Sequence, residues 1–212
     1  MSSPANLPRG RHAPPLEVRL PLQRRRLLEA AAAVFARSGY AEATAEAIAR
    51  QAGMSKATFY EHFANKEACI LVLFDEAATE TLRVMAEATV AAGDDPRARL
   101  RASIDAFLDM LAEHPAEAQT LLVEIIGAGA AGVERRDRVM AAFAAAIDAE
   151  NEAAARSGAL TRFASPDDSF AVVGAVTELA SRQLRQGRPA DVRELRPVVE
   201  RVLLGMTLAP QD

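Results

Sequence analysis

Cysteine occurs once, at Cys69, and tryptophan not at all. A single thiol excludes an internal disulfide framework and suits a reducing cytosol, so a cytoplasmic protein is expected. The three histidines, His12, His62 and His114, lie far apart and lack metal-ligand spacing, so no metal site is expected. No apolar run approaches the length of a membrane span, and the first residues lack the apolar core of a signal peptide. Glycine and proline stand at only 11 each and aromatics at 5%, whereas alanine exceeds a fifth of the 212 residues. That balance points to an all-α protein. No nucleophile–base arrangement stands out, so neither an enzyme nor a cofactor is expected.

What is present is unevenly distributed. The net charge of −4 divides into +5 through Lys66 and −9 beyond it. A basic head on an acidic body suits a head that meets a polyanion, although charge alone leaves a chance split equally open. Residues 1–22 read as a disordered basic arm rich in proline and arginine, where Arg9, Arg11 and Arg19 are candidates for a minor groove. Hydrophobic spacing then predicts about nine helices. The first covers about 23–38 and stops at Gly39. Short ones follow at about 45–52 and 56–63, capped by Thr44 and Ser55. A long fourth runs from Asn65 to about Ala92. Asp95-Pro96 opens a fifth and Pro115 a sixth, and a long seventh follows Gly127–Gly132. Ser165-Pro166-Asp167-Asp168 opens an eighth, and the capping-box pair Asp191 and Glu194 a ninth.

The segment TAEAIARQAGMSKATFYEHF, residues 44–63, is the most specific. A helix-turn-helix needs a small residue where its two helices cross, here Ala49, and a turn residue tolerant of positive φ, here Gly53. With Phe59 and Phe63 facing inward, helical geometry puts Ala57, Thr58, Tyr60 and Glu61 outward, with Lys56 at the exposed first turn. Small and polar groups there admit the backbone to base edges of a major groove. Tyr60, His62 and Lys66 can supply phosphate contacts, and Arg24, Arg25 and Arg26 could meet phosphates too.

The stretch from about Arg24 to Phe74 resembles the DNA-binding domain of the tetracycline-repressor (TetR) family. The resemblance rests on Phe35, Gly39-Tyr40, Thr44, Ile48-Ala49, Ala52-Gly53-Met54-Ser55-Lys56, Thr58-Phe59-Tyr60, His62-Phe63 and Lys66-Glu67. It implies an N-terminal three-helix DNA-binding domain at 23–66, followed by a larger helical effector-binding and dimerisation domain at 67–212. Lys56, Ala57, Thr58, Tyr60, His62 and Lys66 are thereby placed at DNA, with Thr44 capping its helix and touching phosphate. The family often has a second hydroxyl after that threonine, but Ala45 stands here.

A body of this type encloses a pocket for a small-molecule effector. Phe74, Met85, Phe107, Leu111, Leu122, Ile126, Met140 and Phe143 are the candidate lining, with plain core packing as the competing role. Glu124, inside LLVEIIG, is costly to bury unless paired, so it either bridges an arginine or contacts the effector. The absence of a cation cage points to an apolar or acyl-like effector. Ala171, Gly174, Ala175 and Glu178, with Leu195, Val199 and Val202, are the candidate homodimer interface, which would set two reading heads on a palindromic operator in double-stranded DNA. Gly127–Gly132 spells GxGxxG, but no strand precedes it, so a flexible helix–helix connection is expected rather than a dinucleotide site. The whole pattern predicts a regulator, a repressor released by its effector. Two other classes stay open: a small-molecule binding protein with a non-functional head, and an enzyme on a helical bundle.

Overall fold

The computed structural model describes residues 16–207, and among these there is no strand. Nine α-helices follow in order: α1 Leu16–Glu42, α2 Ala45–Gln51, α3 Lys56–His62, α4 Lys66–Ala91, α5 Pro96–Glu113, α6 Pro115–Leu122, α7 Gly129–Arg156, α8 Pro166–Gln186 and α9 Arg196–Thr207. Short 3₁₀ turns at Glu124–Ala128 and Val192–Leu195 lead into α7 and α9. No single helix among the described residues is long and apolar enough to cross a membrane.

Local chemistry sets most of these bounds. Thr44 accepts the Ala47 N–H, Ser55 that of Thr58, and Asn65 that of Ala68, so each helix of the head begins at a side-chain cap. Ser165 and Asp191 each open a capping box. The first helix departs from expectation. It begins at Leu16, so the last residues of the expected arm are helical; Arg9 and Arg11 lie outside the described residues. Pro21 lies inside it, where the proline ring removes one intrahelical hydrogen bond without ending the helix.

Two cores result. The head core gathers Leu27, Phe35, Ile48, Phe59 and Ile70, all fully buried, from α1 to α4. The body core joins Phe74, Leu108, Ile125 and Val172 with Leu195, Val199 and Leu203. Helix α4 belongs to both; its 26 residues span about 39 Å at the α-helical rise. Cys69 is buried on it, and burial pushes its thiol up to about 12, so it behaves as a small apolar core residue.

Candidate nucleic-acid interface and effector cavity

Helices α2 and α3 meet as the spacing of small residues requires. Ala49 is buried at the crossing, and Gly53 takes φ +67° in the turn. Phe59 and Phe63 fix α3 to the core, their rings 5.5 Å apart. Lys56, Ala57, Tyr60 and Glu61 are left exposed and Thr58 half-buried, which is the outward face that the spacing predicts. The Thr58 hydroxyl lies 2.9 Å from that of Ser55. Thr44 is exposed beside its cap.

Other basic residues of the head turn inward. Lys66 Nζ donates to the carbonyls of Tyr40, Ala41 and Ala43 at 2.8, 2.9 and 3.1 Å and sits 4.5 Å from the Tyr40 ring centre. It closes the C-terminal end of α1, where helix carbonyls lack internal partners. Arg26 donates to the Ala52 carbonyl at 2.9 Å and so holds the end of α2 against α1. Arg24 lies over the Phe63 ring and pairs with Glu76 at 3.3 Å, whereas Arg25 is exposed and pairs with Glu29. His62 is half-buried, its Nε2 without a hydrogen-bond partner among the described residues. Burial lowers its pKa, opposed by Glu61 and reinforced by Arg24, which favours the neutral ring.

Glu124 has no arginine partner among the described residues and does not lie on the wall of the cavity described below. One carboxylate oxygen accepts the Tyr40 N–H at 2.7 Å and the other accepts from the Gln119 amide at 3.0 Å, so it bridges body to head. The reason is local: Gly39 turns the chain at φ +72° and frees the Tyr40 N–H at the end of α1. The expected flexible connection at Gly127–Gly132 is likewise a packed turn. A Cβ on Gly127 would lie 3.1 Å from the Tyr40 ring, and one on Gly132 would lie 2.1 Å from the Ile125 carbonyl oxygen.

A cavity of about 360 Å³ opens between α4, α5, α7 and α8, within the ~300–1,000 Å³ common for small-molecule sites. Phe74, Met85, Phe107, Leu122, Met140 and Phe143 lie on its wall. Leu111 is buried in the body core away from that wall, and Ile126 faces outward, 52% exposed. The outward turn of Ile126 follows from α6 ending at Leu122, where the 3₁₀ turn shifts the helical phase on which the expectation rested. Sequence reasoning missed the share of α8, whose Val172, Val173 and Val176 face the cavity, and the charged residues Arg99, Arg136 and Glu150. Arg136 was findable, being four and seven residues before Met140 and Phe143 on one helical stripe.

The candidate interface residues divide. Ala171 and Glu178 are exposed, and Gly174 and Ala175 half-buried, on the outer side of α8. Leu195 and Val199 are buried in the protomer's own core, which corrects their assignment to a partner-facing stripe. Residue 195, at the end of the 3₁₀ turn, and residues 199 and 203 on α9 face inward. The stripe one residue behind, Val198, Val202 and Met206, is the more exposed.

Residues 27–73, from the core of α1 into α4, match the sequence profile of "Bacterial regulatory proteins, tetR family". The match is confined to the helix-turn-helix head, which is similar in sequence to the heads of TetR regulators. Curated relatives are transcription regulators. They include the activator FasR of Mycolicibacterium smegmatis, 36% identical over 108 residues (50% of this chain, 48% of FasR). Another is BetI of Stenotrophomonas maltophilia, 32% identical over 89 residues (42% of this chain, 45% of BetI). The chain thus spans about half the length of the curated relatives it matches. Likeness of fold to solved regulators extends over most of the chain. The fatty acid degradation regulator FadR of Bacillus halodurans superposes with a TM-score of 0.79 at 21% identity, covering 86% of this chain and 95% of its own. FadR of Bacillus subtilis, solved in complex with stearoyl-CoA, gives 0.75 at 20%, covering 85% and 97%.

Proposed function

We propose that this protein is a homodimeric repressor of the TetR type that holds a palindromic operator and leaves it when an apolar, acyl-bearing effector fills the cavity. The observation that carries this reading is one of continuity. Helix α4 carries Lys66 in the head and Phe74 and Met85 on the cavity wall, and Leu121 and Leu122 on that wall lie just before Glu124, which holds Tyr40. An effector that binds better to a splayed arrangement would therefore move the heads through two connected elements, by no more than its differential affinity for the two arrangements. The stearoyl-CoA complex of the Bacillus subtilis FadR, which shares the fold, supports an acyl chain as occupant. The curated relatives are transcription regulators, which favours a regulatory role over an enzymatic one.

Within the head, Lys56, Ala57 and Thr58 are the residues we assign to base edges, with Thr44 and Tyr60 on phosphates. Lys66 and His62 act from behind as supports. The deciding experiment selects bound sequences from genomic DNA and titrates the best palindrome with lauroyl-CoA. Lys56→Ala should weaken binding by roughly tenfold, within the ~1–3 kcal/mol of a groove contact, and lower the salt slope by about one. Unchanged affinity and slope would remove Lys56 from the interface. A promoter reporter then separates repression from the activation for which FasR is named.

The dimer is assigned to the outer face of α8 and the Val198–Val202–Met206 stripe of α9. A Cβ on Gly174 meets nothing within 4 Å in the protomer, so Gly174→Leu should leave its fold intact. Against a second α8 packed closely, the same side chain should dissociate the dimer to monomers by sedimentation equilibrium. A dimer of undiminished affinity would place the interface elsewhere.

A further inference from the structure

We propose that Arg136 anchors the negatively charged end of the effector, so that the cavity selects anionic amphiphiles over neutral chains of equal length. The inference rests on the acyl-effector reading and adds to it which group of the ligand is recognised and where. Three charged residues contribute to the cavity wall: Arg99, Arg136 and Glu150. Two of them neutralise each other, since Arg99 grips Glu150 through two hydrogen bonds of 2.9 and 2.8 Å. Arg136 remains. The carboxylate it has within 4 Å among the described residues is that of Asp137, its neighbour in sequence, at 3.9 Å with that side chain 66% exposed.

The arginines beside it differ in direction and partner. Arg135 is held by Asp75 on α4, and Arg138 is exposed and away from the cavity. Arg136 alone of the three lies on the stripe with Met140 and Phe143, its side chain only 31% exposed. A guanidinium cannot shed its charge, and beside an apolar wall it is poorly hydrated. An anion brought there by an apolar chain completes its hydrogen bonds, and the fork geometry accepts a carboxylate or a phosphate in two-point contact. The rest of the wall is dominated by Phe74, Leu82, Met85, Leu100, Ile104 and Phe107, which suit the chain.

The test measures the affinity of the full-length protein for laurate, lauroyl-CoA and methyl laurate, by calorimetry, for wild type, Arg136→Gln and Arg138→Gln. Wild type should bind at least one of the two anions tenfold or more tightly than the ester. Arg136→Gln should erase that preference while its ester affinity stays within twofold, which also certifies its fold; Arg138→Gln should retain it. Loss confined to laurate identifies a carboxylate as the anchored group, and loss confined to lauroyl-CoA identifies a phosphate. Preference that survives in Arg136→Gln, or wild-type affinity equal for all three, overturns the assignment while the acyl reading stands. Binding of none of the three overturns both.

Discussion

Gly132→Ala is expected to destabilise the protein by about 2 kcal/mol or more, despite replacing a helical glycine with the best helix former. Propensity alone favours the change by about 1 kcal/mol. Against this, the added Cβ would stand 2.1 Å from the Ile125 carbonyl oxygen and 3.0 Å from the Ala128 Cβ. The first obstacle is backbone, so the methyl cannot be accommodated by a rotamer change. Either α7 lifts from the 3₁₀ turn or the turn is displaced, and overpacking of this kind costs roughly 1–3 kcal/mol and sometimes more. The turn also carries Glu124 onto the Tyr40 N–H, so its displacement should loosen the head as well. Urea denaturation at one fixed protein concentration measures the effect, with Gly205→Ala as control, since nothing lies within 4 Å of a Cβ there. A Gly132→Ala variant as stable as the control would show that the α7 entry is not tightly packed.

Lys66→Met should lower stability by about 2–3 kcal/mol, which for a chain of this length is a fall of roughly 5–10 °C in Tm. The ammonium is the common donor to three carbonyls at the end of α1, and methionine keeps the stem while leaving those acceptors to water. Arginine should not rescue it, because a planar fork cannot bring three donors to one point. The expected loss of DNA affinity is secondary: α1 and α4 would no longer hold α3 at a fixed angle. Calorimetry distinguishes this from a phosphate contact. A lysine on phosphate would, when removed, lower the salt slope by about one and leave Tm alone. An unchanged Tm with a reduced slope would return Lys66 to the DNA surface.

The two substitutions mark where sequence reasoning reached and where it stopped. Caps, stops and stripes are local, so Thr44, Ser55, Asn65, Ser165 and Asp191 locate helix starts, and Ala49, Gly53, Phe59 and Phe63 specify the helix-turn-helix, within a residue or two of the observed bounds. The outward positions of Lys56, Ala57 and Tyr60 follow from the same periodicity. Residue type and spacing do not reveal partners across long separations. Glu124 meets Tyr40 from 84 positions away and Lys66 meets its carbonyls from 23 or more, so one read as an arginine or effector partner and the other as a phosphate ligand.

By itself, then, the sequence determined an all-helical chain, a reading head with a defined outer face, and a body with apolar stripes, because each depends on interactions within a few turns. Tertiary structure decided which stripes became cavity, core or free surface. Leu195 went to the core, Val172 and Val199 to core and cavity wall together, and Val173 to the cavity wall, while Arg136 remained at that wall with no carboxylate nearer than 3.9 Å among the described residues. The physical reason is that a helix face acquires its role from what packs against it. A phase shift of one residue, about 100°, at a 3₁₀ turn or a proline is enough to reassign every side chain beyond it.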